Sequence, residues 1–250
     1  MAKQDGILKI EGTLESLTFY KSTDGYRVRK KGGVSRNRIL HDPAFIRTRE
    51  NVSEFGECAT AGKLFRQAAG SLISRAKDGK LTSRLTSVLS KVKNNDLVSP
   101  RGQRSVAKGL ETVQGKSLLK GFDFNGKATM DSVLRSDKVL DTATGAISFS
   151  GFKASEHLSS PSGATHYSMQ AAVLQIDLAG KTYGLSASEI QNAALAPEAA
   201  NFSLEPPGMP EGNGVLLYLL LIEFFQEEVN GVQYPLKNGS HNVLHVLETA

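Results

Sequence analysis

Residues 215–222 read VLLYLLLI, eight apolar positions in succession, and Glu223 closes the run. A membrane helix needs about 20 apolar residues, so this stretch is too short to be one. Strand side chains alternate between the two faces of a sheet, so a strand apolar at every position is buried on both. Residues 215–225 therefore predict a central strand, and Asn230-Gly231 predicts a hairpin turn into Val232, Gln233 and Tyr234.

The remainder of the second half has the same two-residue period. Ile147, Phe149 and Gly151 alternate with Ser148 and Ser150, and Ala172, Leu174, Ile176 and Leu178 with Val173, Gln175 and Asp177. Residues 179–181 turn the chain toward 182–185, Asn238-Gly239 starts a last turn into 241–247, and the Pro- and Gly-rich span 205–214 reads as a loop. Strands separated by such turns predict an antiparallel, immunoglobulin-like β-sandwich of roughly seven strands.

The first half reads differently. A β-hairpin is predicted around Asp24-Gly25, with Arg27, Arg29 and Lys31 on one face of its second strand. Asp42-Pro43 is a helix start, with Asp as cap and Pro in the first turn. Phe45, Val52, Phe55, Ala59, Gly62, Phe65, Ala69, Leu72 and Ala76 then form one apolar stripe, with Gly56, Gly62 and Gly70 as the places where the helix could break. Leu85, Val88, Leu89 and Val92 mark a second helix, and Val106, Leu110 and Val113 a short third.

Charge follows the same division. Residues 1–120 hold 24 Lys+Arg and 11 Asp+Glu, a net of +13, whereas residues 121–250 hold 6 and 14, a net of −8. With six of the eight prolines beyond residue 120, this places a domain boundary there: a basic hairpin-plus-helical domain, 1–120, and an acidic sandwich domain, 121–250. A basic end and an acidic end on one molecule favour head-to-tail contact between copies, which closes into rings or runs on as filaments. The same basic half could instead meet nucleic acid, since Arg27, Arg29, Lys30, Lys31, Arg36, Arg38, Arg47 and Arg49 lie within 23 positions with Phe19, Tyr20 and Tyr26 close by.

No motif for chemistry surfaces. The single Cys58 excludes a disulfide framework and a cysteine-based metal site. His41, His157 and His166 are isolated, and His241 and His245, four apart on an expected strand, would be about 13 Å apart, too far for one ion. Lys30-Lys31-Gly32-Gly33 lacks the lysine–hydroxyl ending of a phosphate loop, and neither a dinucleotide fingerprint nor a nucleophile elbow is present. The N-terminal residues have no apolar segment of signal-peptide length, which predicts a cytoplasmic protein, released only by a dedicated machine or by lysis.

Residues 12–29 (GTLESLTFYKSTDGYRVR), 31–35 (KGGVS), 42–51 (DPAFIRTREN) with Glu54-Phe55-Gly56, and 223–239 (EFFQEEVNGVQYPLKNG) together resemble an uncharacterised family of Bacteroidetes (Flavobacterium-like) proteins. The resemblance implies a bacterial source and no activity or functional residue to carry over.

The expectation is an α+β chain: an N-terminal hairpin and helical region, then the sandwich. The expected function is that of a non-enzymatic structural subunit of a filament, tube or phage-like particle, without cofactor, metal or membrane insertion. Its contact residues would be Arg27, Arg29, Lys31, Arg36, Arg38, Arg47 and Arg49 against Glu227 and Glu228 of a neighbour. Nucleic-acid binding through the basic region is the alternative.

Overall fold

The structure, a computed structural model, describes residues 2–227, 231–236 and 241–250. The expected turns at Asn230-Gly231 and Asn238-Gly239 and the expected contact residue Glu228 fall wholly or partly outside them. The chain divides into two compact units, Met1–Glu50 and Asn51–Ala250, so the boundary expected near residue 120 falls inside the second unit. All strand pairings within the described sheets are antiparallel.

The first unit is a four-stranded sheet, β1 (Ala2–Lys3), β2 (Gly12–Leu14), β3 (Leu17–Ser22) and β4 (Gly25–Lys30), in the order β1-β4-β3-β2. Ser22 pairs with Gly25, so Thr23 and Asp24 form the hairpin loop, one residue earlier than the Asp24-Gly25 signal implies. Gly25 supplies the left-handed backbone there, at φ 107. Helix α1 (Arg36–His41) follows, capped by Ser35. Asp42 then caps the 3-10 turn Pro43–Phe45, accepting from the N–H of Ala44 with Pro43 in the first turn, as the Asp-Pro pair predicts.

Helix α2 (Ile46–Ala68) leads into the second unit and ends at the Ala69-Gly70 junction, one of the three expected break points, before α3 (Gly70–Ile73). Helices α4 (Leu81–Lys93), α5 (Val106–Leu110), α6 (Val113–Ser117) and α7 (Met130–Val133) follow. Leu81, Leu85, Leu89 and Val92, at steps of four, four and three, put one face of α4 into the core. Within these helices two glycines allow close backbone approach: a Cβ on Gly109 would stand 2.2 Å from the Val92 carbonyl oxygen, and one on Gly115 1.9 Å from that of Gly109. At Gly62, the glycine the apolar stripe singles out, the nearest atom would be 3.4 Å away, so α2 does not depend on its absent side chain.

The strands of this unit are β5 (Val139–Leu140), β6 (Ile147–Phe152), β7 (His166–Asp177), β8 (Thr182–Ala187), β9 (Gln191–Ala194), β10 (Ala200–Leu204), β11 (Val215–Glu227), β12 (Gln233–Pro235) and β13 (Val243–Thr249), with a short helix α8 (Ala154–His157) after β6. Strand β11 pairs with β7 on one side and with β12 and β13 on the other, while β7 carries β8 and β9 on its far edge. This large sheet curls into a half-barrel. Its curvature brings β9 and β12 together across the concave face, where Asn192 Nδ2 donates to Gln233 Oε1 at 2.7 Å. A three-stranded sheet, β10-β6-β5, is the second.

Alternation sorts the large sheet onto two cores. Leu217, Leu219 and Leu221 of β11, Ala172, Leu174 and Ile176 of β7, and Leu244 and Val246 of β13 pack on the helices. Leu220, Ile222 and Phe224, Met169 and Ala171, and Val243 pack on Ile147, Phe149 and Phe152 beside the small sheet. The strand expected to be central is therefore buried on both faces, between a helical layer and a second sheet. The fold is α+β.

The apolar stripe assigned to α2 needs correction in its first half. Glu54, Cys58, Ala61 and Phe65 are the buried face, whereas Val52 and Phe55 are 64% and 63% exposed. The charge turns inward because partners wait for it, as described below.

Candidate functional site

The concave face of the half-barrel is apolar where the helices cover it and polar at one end. Glu223 of β11 lies opposite Ser168 of β7, which in turn lies opposite Asn192 of β9. Asn242, immediately before the Val243 partner of Ile222, extends this row on the other side of Glu223. Glu223, Ser168 and Asn242 are all buried. A charge inside a sheet is costly unless it is paired and hydrogen-bonded. Arg75, from the loop after α3, meets that requirement. Its guanidinium forms an ion pair with Glu223 Oε2 and donates to Gln170 Oε1 at 2.8 Å. Ser168 Oγ also donates to Glu223 Oε2, at 3.4 Å. Asn242 Nδ2 donates to the Arg75 carbonyl at 3.0 Å, and Asn125 Nδ2 to that of Asn242 at 2.9 Å, which fixes the loop against the strand.

Above this row opens a cavity of about 580 Å³, lined by Arg75, Lys77, Glu223 and Asn242 on its polar side and by Ala76, Ile190, Phe225 and Pro235 on its apolar side. A concave, mainly apolar space with a few convergent polar groups is the usual form of a small-molecule site.

A second buried charge cluster is structural in character. Glu54 of α2 pairs with Lys93 of α4 and accepts from Arg104 Nε at 3.0 Å and the Gly102 N–H at 2.7 Å. Asp96 accepts from the N–H groups of Val98, Ser99 and Ser105. Burial alone would raise both carboxyls. These donors outweigh it and hold each at about 2. Together they pin the 96–105 loop to α2 and α4. Neighbouring Glu57 is shifted the other way, raised mainly by burial. Burial and the Glu57 charge push the Cys58 thiol up to about 11, the environment of an inert thiol.

The expected contact residues are largely occupied. Arg27 pairs with Asp24 at 2.8 Å, Arg38 with Asp42 at 3.0 Å while lying over the Phe45 ring, and Arg47 with Glu50 at 2.9 Å. Arg49 donates to the carbonyls of Ile39 and Asp42. Arg29 lies 5.5 Å from the Tyr20 ring centroid, on the same sheet face as Arg27; Lys31 stands one residue past the end of β4, and Arg36 is exposed at the start of α1. In the second unit Glu227 is engaged by His166 Nε2 at 3.1 Å. His245 Nδ1 is held by Asp123 at 2.7 Å. Among the described residues no three His, Cys, Asp or Glu side chains converge as a metal site, and no helix is long and apolar enough to cross a membrane.

The charge split also has an internal use. Residues 1–50 hold 11 Lys+Arg and 6 Asp+Glu, residues 51–120 hold 13 and 5, and residues 121–250 hold 6 and 14. The second unit is thus neutral overall, with basic helices on an acidic sheet. Arg75–Glu223 and Lys120–Glu248 both tie the former to the latter. Sequence reasoning singled out none of Arg75, Ser168 and Asn242 as site residues; the one available signal was Glu223, the charge that closes the apolar run.

Comparison with protein-family models, curated proteins and solved structures finds no match for the chain.

Proposed function

We propose that the protein is a non-enzymatic structural subunit that assembles with copies of itself, the N-terminal unit providing the connection. One observation carries this reading: among the described residues of the first 50, none is buried. A sheet needs an apolar face covered on one side to be stable, and 50 residues are too few to bury much on their own. Leu14, Leu17, Phe19 and Val28 share one face of β2-β3-β4, and Leu14 is 65% exposed. The opposite face carries Lys3, Arg27 and Arg29. A sheet with an apolar patch on one side, flanked there by Lys21 and Lys30, and with further cations on the other, in a unit of net +5, suits the strand-built, acidic part of another copy. We read the small sheet packed over the large one as an immunoglobulin-like sandwich serving as scaffold, and the assembly as cytoplasmic.

Sedimentation and negative-stain microscopy at 50 and 500 mM salt test this. Oligomers or polymers are expected at low salt, lost at high salt and in Leu14→Lys/Arg29→Glu protein. A monomer at every concentration at low salt overturns it.

The second reading, nucleic-acid binding, is favoured by Arg29 over Tyr20 on a face shared with Arg27, an arrangement suited to a phosphate backbone. A gel shift with single- and double-stranded DNA and RNA that falls with salt supports it; no shift at low salt removes it.

A further inference from the structure

We infer that the cavity at the polar end of the half-barrel binds a small amphipathic carboxylate, its head at Arg75 and Lys77 and its apolar body along Ile190, Phe225 and Pro235. The volume, about 580 Å³, lies within the usual range for small-molecule sites. Its charge selects the head group. The lining holds two cations, Arg75 and Lys77, and one carboxylate, Glu223, a surplus of one positive charge that a monoanion neutralises. Glu223 is already committed, with Oε2 shared by Arg75 and Ser168. Arg75 is committed only in part. One N–H of each terminal nitrogen goes to Gln170 and Glu223, and the side chain keeps 27% of its surface open. A guanidinium held at two points presents its remaining donors in a fixed fork, the geometry that suits a carboxylate. Lys77 is exposed and forms no ion pair among the described residues. An ammonium head would meet two like charges here. A neutral head would leave the surplus charge unanswered.

The apolar side selects the body. Ile190 lines the cavity while 50% exposed, and Phe225 and Pro235 are cross-strand partners that form one continuous wall. Burial of apolar surface against these side chains adds affinity that a short acid such as acetate cannot gain.

Calorimetric titration of the full chain with octanoate, octanol and octylammonium tests both selections. Octanoate is expected to bind, octanol about tenfold more weakly or worse, and octylammonium not at all. Lys77→Glu and Ile190→Trp alter exposed side chains and leave the circular dichroism spectrum unchanged. The first reverses a charge at the head and the second fills space along the apolar lining, and each is expected to weaken octanoate by at least about tenfold. Absence of octanoate binding, tighter binding of octylammonium or octanol, or octanoate binding that survives either substitution overturns the inference.

Discussion

Glu223 of β11 and Ser168 of β7 are direct cross-strand partners on the two central strands of the large sheet, toward its polar end, and the serine hydroxyl donates to the glutamate. Both are buried, yet neither belongs to either apolar core. They form the floor on which Arg75 is seated.

Arg75→Ala leaves Glu223 buried without its cation, which is expected to cost about 3 kcal/mol, the low end for a buried pair because Arg75 keeps some solvent. Replacing both, as Arg75→Met with Glu223→Leu, is expected to cost less than Arg75→Ala alone. Urea denaturation of these proteins and of the Arg75→Met and Glu223→Leu single variants measures the difference, and a double variant whose loss equals the sum of the two singles would show the pair to be uncoupled.

Acid should loosen the second unit through Glu54 and Asp96. Both carboxyls titrate near 2 in the folded chain, against ordinary values of 4.5 and 3.8. The unfolded chain therefore binds more protons in this window, and the stability they provide, complete above about pH 5, is lost as the pH falls toward 2. Glu54→Gln is expected to flatten that dependence while destabilising the protein at pH 7. Glu57 has the opposite sign: its folded carboxyl is raised, so its ionisation at neutral pH works against folding, and Glu57→Gln is expected to be neutral or stabilising at pH 7. Thermal melts from pH 2 to 8 separate the two.

Gly109→Ala would drive a methyl group into the Val92 carbonyl, a rigid part of α4. A loss of about 2–3 kcal/mol is expected, at the upper end for overpacking because backbone must move. Gly56→Ala, whose added methyl group meets nothing within 4 Å, serves as the control and is expected to be unchanged or slightly more stable.

Amide exchange should divide the chain at the junction of its two units. In unassembled protein at high salt, β3 and β4 lie in a sheet with no buried residue, whereas β7 and β11 are buried along most of their length. Exchange in β3 and β4 is expected to be at least about 100-fold faster. Equal protection in both regions would show the first unit to be stable without a cover.

How much of this could be read from sequence depended on whether the deciding contact was local. The strand at 215–225 was legible because eight apolar residues without alternation have few other interpretations. The Asp42-Pro43 start was legible because a cap acts within three residues. The inward turn of Glu54 was not, since Lys93 and Arg104 stand 39 and 50 positions away. The polar floor was hidden for the same reason. Arg75 and Glu223 are separated by 148 positions and become neighbours only through the strand register.

The buried acidic residue of the longest apolar strand also fixes how that strand is threaded. Because β11 is greasy on both sides, its leucines alone would tolerate a shift of one position almost as well as the native alignment. Such a shift would thrust Glu223 among Phe149, Phe152 and Tyr167, beyond the reach of Arg75. One carboxylate thereby acts as an indexing mark, rejecting every odd-numbered slippage of the half-barrel before its edges can close.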